Sequence, residues 1–244
     1  MTKETIELLR NLADKYETAG FLADDPSQFM HHYSDPRDQE TMAFIASSLS
    51  FGRRSQFLGK VRLIEAETCG QPYLWIKERG YEQSKLLQSA APTDSFYRMV
   101  TYADMLSLLR AMAQTPLFDL MRTGQAECSA ATIQKAWTTP HLVPRDTKST
   151  CKRLHMFMRW MVRSGSPVDI GIWAGRIDRR SLIIPLDTHV FQQSRLLGLT
   201  EGRSMSLRTA LDITHHALEV FPDDPLRLDF ALFGRGVEKN ISTQ

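Results

Sequence analysis

Apolar residues recur at helical spacing along almost the whole chain, and only Leu182-Ile183-Ile184 reads as a strand. That triplet is followed at once by Pro185 and has no evident pairing partner, so it is expected as a buried extended segment. Helices are expected over 4–16, over a nearly all-apolar run opened by Asp35-Pro36 and closed by Gly52, and over about 54–68, 72–79, 102–113 and 116–123. Four more follow: CKRLHMFMRWMVR, Asp187 to Leu197 with Gly198 as its stop, 206–220, and DDPLRLDFALFGRGV. The expected fold is all-α, a compact helical bundle forming one domain over 1–244 that admits two lobes with a cleft between them.

A 42% apolar content supplies a full core. No run reaches the roughly 18 apolar residues of a membrane span, and the start, MTKETIELLR, lacks the apolar stretch of a signal peptide. Cys69, Cys128 and Cys151 lie far apart, too few for a disulfide framework or a four-cysteine metal cluster. The expected location is therefore the reducing cytoplasm, with no cofactor and no membrane partner. His31-His32 and His215-His216 do not suggest a metal site, because adjacent helical residues point about 100° apart.

The net charge of +2 is uninformative, but its distribution is not. Arg53, Arg54, Lys60 and Arg62 form one basic cluster without an acid; Arg145, Lys148, Lys152, Arg153, Arg159 and Arg163 form a second with only Asp146 among them. Two such clusters point to a polyanion partner, although either one alone is better read as a solvated helix face. In CKRLHMFMRWMVR, Leu154, Phe157, Met158 and Met161 make one core-facing stripe, with Lys152, His155, Arg159 and Arg163 opposite. Lys152 stands at the helix start, where a cation opposes the helix dipole, a placement that an amine nucleophile can use. In LIIPLDTHVFQQSRLLG, Pro185 forces Ile184 out of helical geometry and Asp187 stands as the N-cap. Capping alone explains Asp187; a carboxylate between an apolar run and a helix start is also placed for electrostatic catalysis.

Turn, basic-headed helix, apolar segment and then P-L-D-T-H-V resemble the core of the helix-hairpin-helix DNA glycosylase superfamily. The pairing of CKRLHMFMRWMVR with IIPLDTHVFQQSRLLGLT and DPLRLDFALFGRGV, spanning most of 30–238, resembles more closely an uncharacterised bacterial family within it. The resemblance implies base-excision repair of double-stranded, damaged DNA, with AP lyase activity and nucleoid association when bound. It carries the nucleophile to Lys152 and the catalytic aspartate to Asp187, 35 positions on, a spacing near that of the archaeal 8-oxoguanine branch. DNA contacts are expected from Arg53, Lys148, Ser149, Arg153, Arg159 and His189. Phe51, Trp160, Phe191 and Phe233 are candidates to line a pocket for a flipped base, as well as ordinary core residues.

The chain departs from the superfamily at the hairpin, where PRDTKS has no glycine and Lys148 and Ser149 stand in place of a backbone nest. Lys148 is a rival for the nucleophile. A non-catalytic DNA-binding protein with the same fold is the alternative reading, and a helical adaptor for another protein a third.

Overall fold

A computed structural model describes residues 1–116, 130–137, 139, 141–143 and 149–241. The chain is mostly helical and falls into two compact units, Pro26–Asp146 and Met1–Asp25 with Thr147–Gln244.

In the Pro26–Asp146 unit, α2 (Pro36–Leu49) is central. Asp35 caps it, accepting from Arg37 N at 2.8 Å, and every residue from Glu40 to Leu49 is buried. Ser47 and the C-cap residue Ser50 bond back to this helix: Ser47 Oγ donates to Phe44 O (3.0 Å) and Ser50 Oγ to Ala46 O (2.7 Å). The 3-10 segment Pro26–His32, α3 (Arg54–Glu67) and α4 (Pro72–Lys77) pack around α2. α5 (Tyr102–Gln114), opened by a Thr101/Asp104 capping box, packs on α4 and on α6 (Ala130–Trp137).

This unit also holds an antiparallel hairpin that the helical periodicity gives no sign of: β1 (Ser95–Tyr97) and β2 (Val100–Thr101), with Ser95 opposite Thr101 and Tyr97 opposite Val100. Strands this short carry too few residues for alternation to register. Of the expected 116–123 helix, residues 117–123 lie outside the described residues, as do the PRDTK residues 144–148 with Lys148.

In the other unit, α1 (Lys3–Tyr16) lies along α10 (Arg227–Ile241), which also packs against α8 (Thr188–Leu196); α9 (Leu207–Val220) touches α1 and α10. α7 (Lys152–Val162) buries the expected stripe of Leu154, Phe157, Met158 and Met161. Its opposite side corrects the sequence reading. His155, Arg159 and Arg163 are as buried as the stripe, so this side is an interior polar face rather than a solvated one. Leu182–Ile184 is extended without pairing into a strand, with Leu182, Ile184 and Leu186 buried.

Candidate functional site

The candidate site is built from two helix starts. α7 begins immediately after Cys151, which takes the left-handed conformation (φ 42°, ψ 37°) and offers no side-chain cap. Its carbonyl accepts from Leu154 N (2.9 Å) and His155 N (3.0 Å), so the first turn is closed by backbone alone and Lys152 is its first residue. α8 begins after the buried segment Leu182–Leu186, fixed where Ile184 N donates to Thr214 Oγ1 at 3.0 Å. Pro185 keeps that segment extended and delivers Asp187 to the N-cap.

Asp187 uses its two oxygens differently. Oδ1 accepts from Val190 N at 2.9 Å, the capping role expected from sequence. Oδ2 stands 3.4 Å from Lys152 Nζ. The two residues nominated from sequence are thus brought together across 35 positions of chain. Lys152 keeps a third of its side-chain surface exposed and Asp187 about a seventh, so the pair is sheltered yet reachable from outside (side-chain exposures 33% and 14%).

Behind the pair lies a buried ionic network that no local sequence pattern announces. Arg159, two turns along α7 from Lys152, bonds through Nε to Asp169 Oδ1 (3.2 Å) and through Nη1 to Asp229 Oδ2 on α10. Arg163 bonds Asp169, the two oxygens of Asp224 (2.7 and 2.9 Å) and Glu17 (2.7 Å), and Arg227 joins Glu17 (3.0 Å). Burial pushes the Asp229 carboxyl up to about 6; Arg159 opposes the rise, the Asp187 charge adds to it, and Lys152 also opposes it. Asp229 therefore senses both members of the pair. Burial alone depresses His155, which lies between Lys152 and Arg159 on the same face, to about 4, so it is neutral at physiological pH.

The remaining nominated residues separate. Arg159 is corrected: with 4% of its surface exposed and its guanidinium held by two carboxylates, it is an interior cation and not a phosphate contact. Arg153 is half-buried, and burial lowers its pKa to about 10. Ser149 is exposed just before α7, where its Oγ accepts from Cys151 N at 3.4 Å. His189 is half-buried against α10, its ring edge-on to Phe233 (5.7 Å) above Gly236. Arg53 is exposed at the start of α3 in the other unit. Among the aromatic candidates Trp160 is fully buried core, Phe51 rests on Tyr97 (4.9 Å) and Phe233 meets Phe21 (5.9 Å), while half-buried Phe191 lies under Arg195 (5.9 Å).

Among the described residues no group of three or more His, Cys, Asp or Glu is arranged to hold a metal ion, and no helix is long and apolar enough to cross a membrane. His32 pairs instead with Glu65 (2.7 Å) and His216 with Glu219 (2.9 Å).

A helical chain with a sheltered lysine–aspartate pair at two facing helix starts is the class defined here. Residues 25–238 match the family described as Protein of unknown function (DUF2400), and the chain belongs to that family. No curated protein and no solved structure matches it.

Proposed function

We propose that this protein is a DNA base-excision glycosylase with AP lyase activity, of the helix-hairpin-helix glycosylase type. The observation that carries the proposal is the 3.4 Å approach of Lys152 Nζ to Asp187 Oδ2, made between two helix starts that sequence resemblance had nominated independently of geometry. An ammonium is no nucleophile; it must lose its proton beside an acceptor, and Asp187 Oδ2 is that acceptor. The free amine then attacks C1′ of the nucleotide. The C1′–N bond breaks, and its electron pair leaves with the base, which takes up a proton. The resulting aminal opens to a Schiff base, and loss of the C2′ proton expels the 3′ phosphate. Asp187, held in place by Val190 N, also stabilises positive charge developing on the sugar.

Lys152 and Asp187 adjoin the buried ionic network through Asp229, which Arg159 holds and which both charges of the pair influence. On this reading the half-buried His189 and the exposed Ser149, close to the pair in sequence, supply phosphate contacts. A non-catalytic DNA-binding role is the second reading, favoured by the cap: Oδ1 of Asp187 accepts from Val190 N, which needs no chemistry.

The test is a panel of duplexes, each with one lesion or an abasic site, scored for base release and strand cleavage. Cleavage of at least the abasic duplex is expected. Binding without either reaction on any duplex would leave the non-catalytic reading.

A further inference from the structure

In the Pro26–Asp146 unit the hairpin is fastened to the loop that opens α3. Tyr97 Oη donates to the Phe51 carbonyl, the two rings lie 4.9 Å apart, and Gly52 (φ 79°) sits directly beneath. A Cβ on Gly52 would stand 2.6 Å from Tyr97 Oη and 3.0 Å from both Cδ and Nη1 of Arg98. Arg98 therefore lies across the Gly52 backbone, beside Arg53 and Arg54.

Two features of this arrangement call for a ligand. Arg98 holds a positive φ of 52° in the hairpin turn, a conformation that glycine or asparagine adopts at less cost. Arg53, Arg54 and Arg98 are all exposed, and neither Arg53 nor Arg98 makes an ion pair with the described residues. Nearby Lys60 is turned onto the Phe96 ring, 4.7 Å from its centroid, rather than onto an acid. The like charges of Arg53 and Arg98 have no counter-charge among the described residues, and a polyanion supplies one. Arginine forks match phosphate oxygens in particular.

We infer that Arg53, Arg54 and Arg98 form an anchor for the phosphodiester backbone of a nucleic acid, built by the α3 start and the hairpin tip. The inference deepens the DNA reading above and rests on it. Its contacts go to phosphates, so it adds affinity and register without sequence preference. The neighbouring hairpin-tip residue, Met99, is 58% exposed and is available for apolar contact with the sugars.

The test measures binding of the full chain to an undamaged fluorescent duplex by anisotropy across a salt series. It compares wild type, the double variant Arg53→Gln/Arg98→Gln, and the charge-matched control Arg203→Gln/Arg208→Gln in exposed positions of the other unit. Each phosphate contact removed lowers the slope of log K against log salt by about 0.9, so the double variant should lose nearly 2 from the slope and about tenfold or more in affinity. The control should lose less of both. Both lysine-site residues are intact in these variants, so borohydride trapping on an abasic duplex at low salt reports the catalytic reading separately. Unchanged slope and affinity in the double variant would overturn the anchor while trapping still upheld the glycosylase. No binding of wild type to any duplex, or competition by polyglutamate as strong as by DNA at equal charge, would also overturn it.

Discussion

At the scale of single residues, Asp187 separates two roles that one side chain performs at once. Asn caps a helix about as well as Asp, so Asp187→Asn keeps the bond from Val190 N while deleting the acceptor for the lysine proton. Its melting temperature should stay within a few degrees of wild type, and its cleavage of abasic duplex should fall at least a hundredfold. Full activity in Asp187→Asn would leave the residue as a cap only. His155 makes a different prediction. Burial holds it neutral down to about pH 4, whereas in the unfolded chain it takes up a proton near 6.5. Unfolding therefore binds a proton between those values, and the stability contributed by neutral His155 is present above about 6.5 and lost as pH falls toward 4. The loss is about 1.4 kcal/mol per pH unit in that window. Denaturant titrations of His155→Gln should show a flatter pH dependence there than wild type; identical slopes would mean that His155 titrates normally.

At the scale of elements, most helices were legible because their signals are local. Asp35-Pro36 before α2, Pro185-Leu186-Asp187 before α8 and Gly198 after it lie within a few residues of the boundaries they set. The partners of Arg159 and Arg163 were not legible, since Asp229 and Glu17 reach them from 70 and 146 positions away. An amphipathic wheel distinguishes apolar from polar, and a buried ionic face looks the same on it as a wet one. The hairpin escaped for the opposite reason, being too short for any period. The packing of α8 on α10 yields a direct test. A Cβ on Gly236 would stand 2.8 Å from Cβ of His189, and backbone-attached atoms on two helices cannot both yield locally. Gly236→Ala should cost about 1–3 kcal/mol in a urea melt despite the better helix propensity of alanine. Because α8 carries Asp187 at its head, activity should fall as well. A stabilised Gly236→Ala protein would contradict the packing described.

At the scale of the whole molecule, each unit contributes a different kind of basic residue. In Met1–Asp25 with Thr147–Gln244, Arg159 and Arg163 are spent on internal carboxylates, while Lys152 keeps a third of its side chain exposed beside the sheltered carboxylate of Asp187. In Pro26–Asp146 the arginines at the α3 start and hairpin tip face outward. The overall charge of +2 conceals this division, which only the pattern of ion pairs makes visible. Removing a partner from the buried set leaves an uncompensated charge and is strongly destabilising, so variants of Arg159, Arg163, Asp169 or Asp229 report on folding before function. Lys152 is free of that difficulty because glutamine can occupy its partly exposed position.

The account's central claim is that Lys152 is the amine that attacks C1′, and borohydride trapping measures it directly. Reduction converts a Schiff base into a stable protein–DNA bond that survives denaturing electrophoresis. Wild type should give a covalent adduct on an abasic or damaged duplex, Lys152→Gln should give none while still binding DNA, and Lys148→Gln, which removes the same charge four residues upstream, should still be trapped. An adduct that persists in Lys152→Gln and vanishes in Lys148→Gln, or a wild-type protein trapped on no duplex at all, would contradict it.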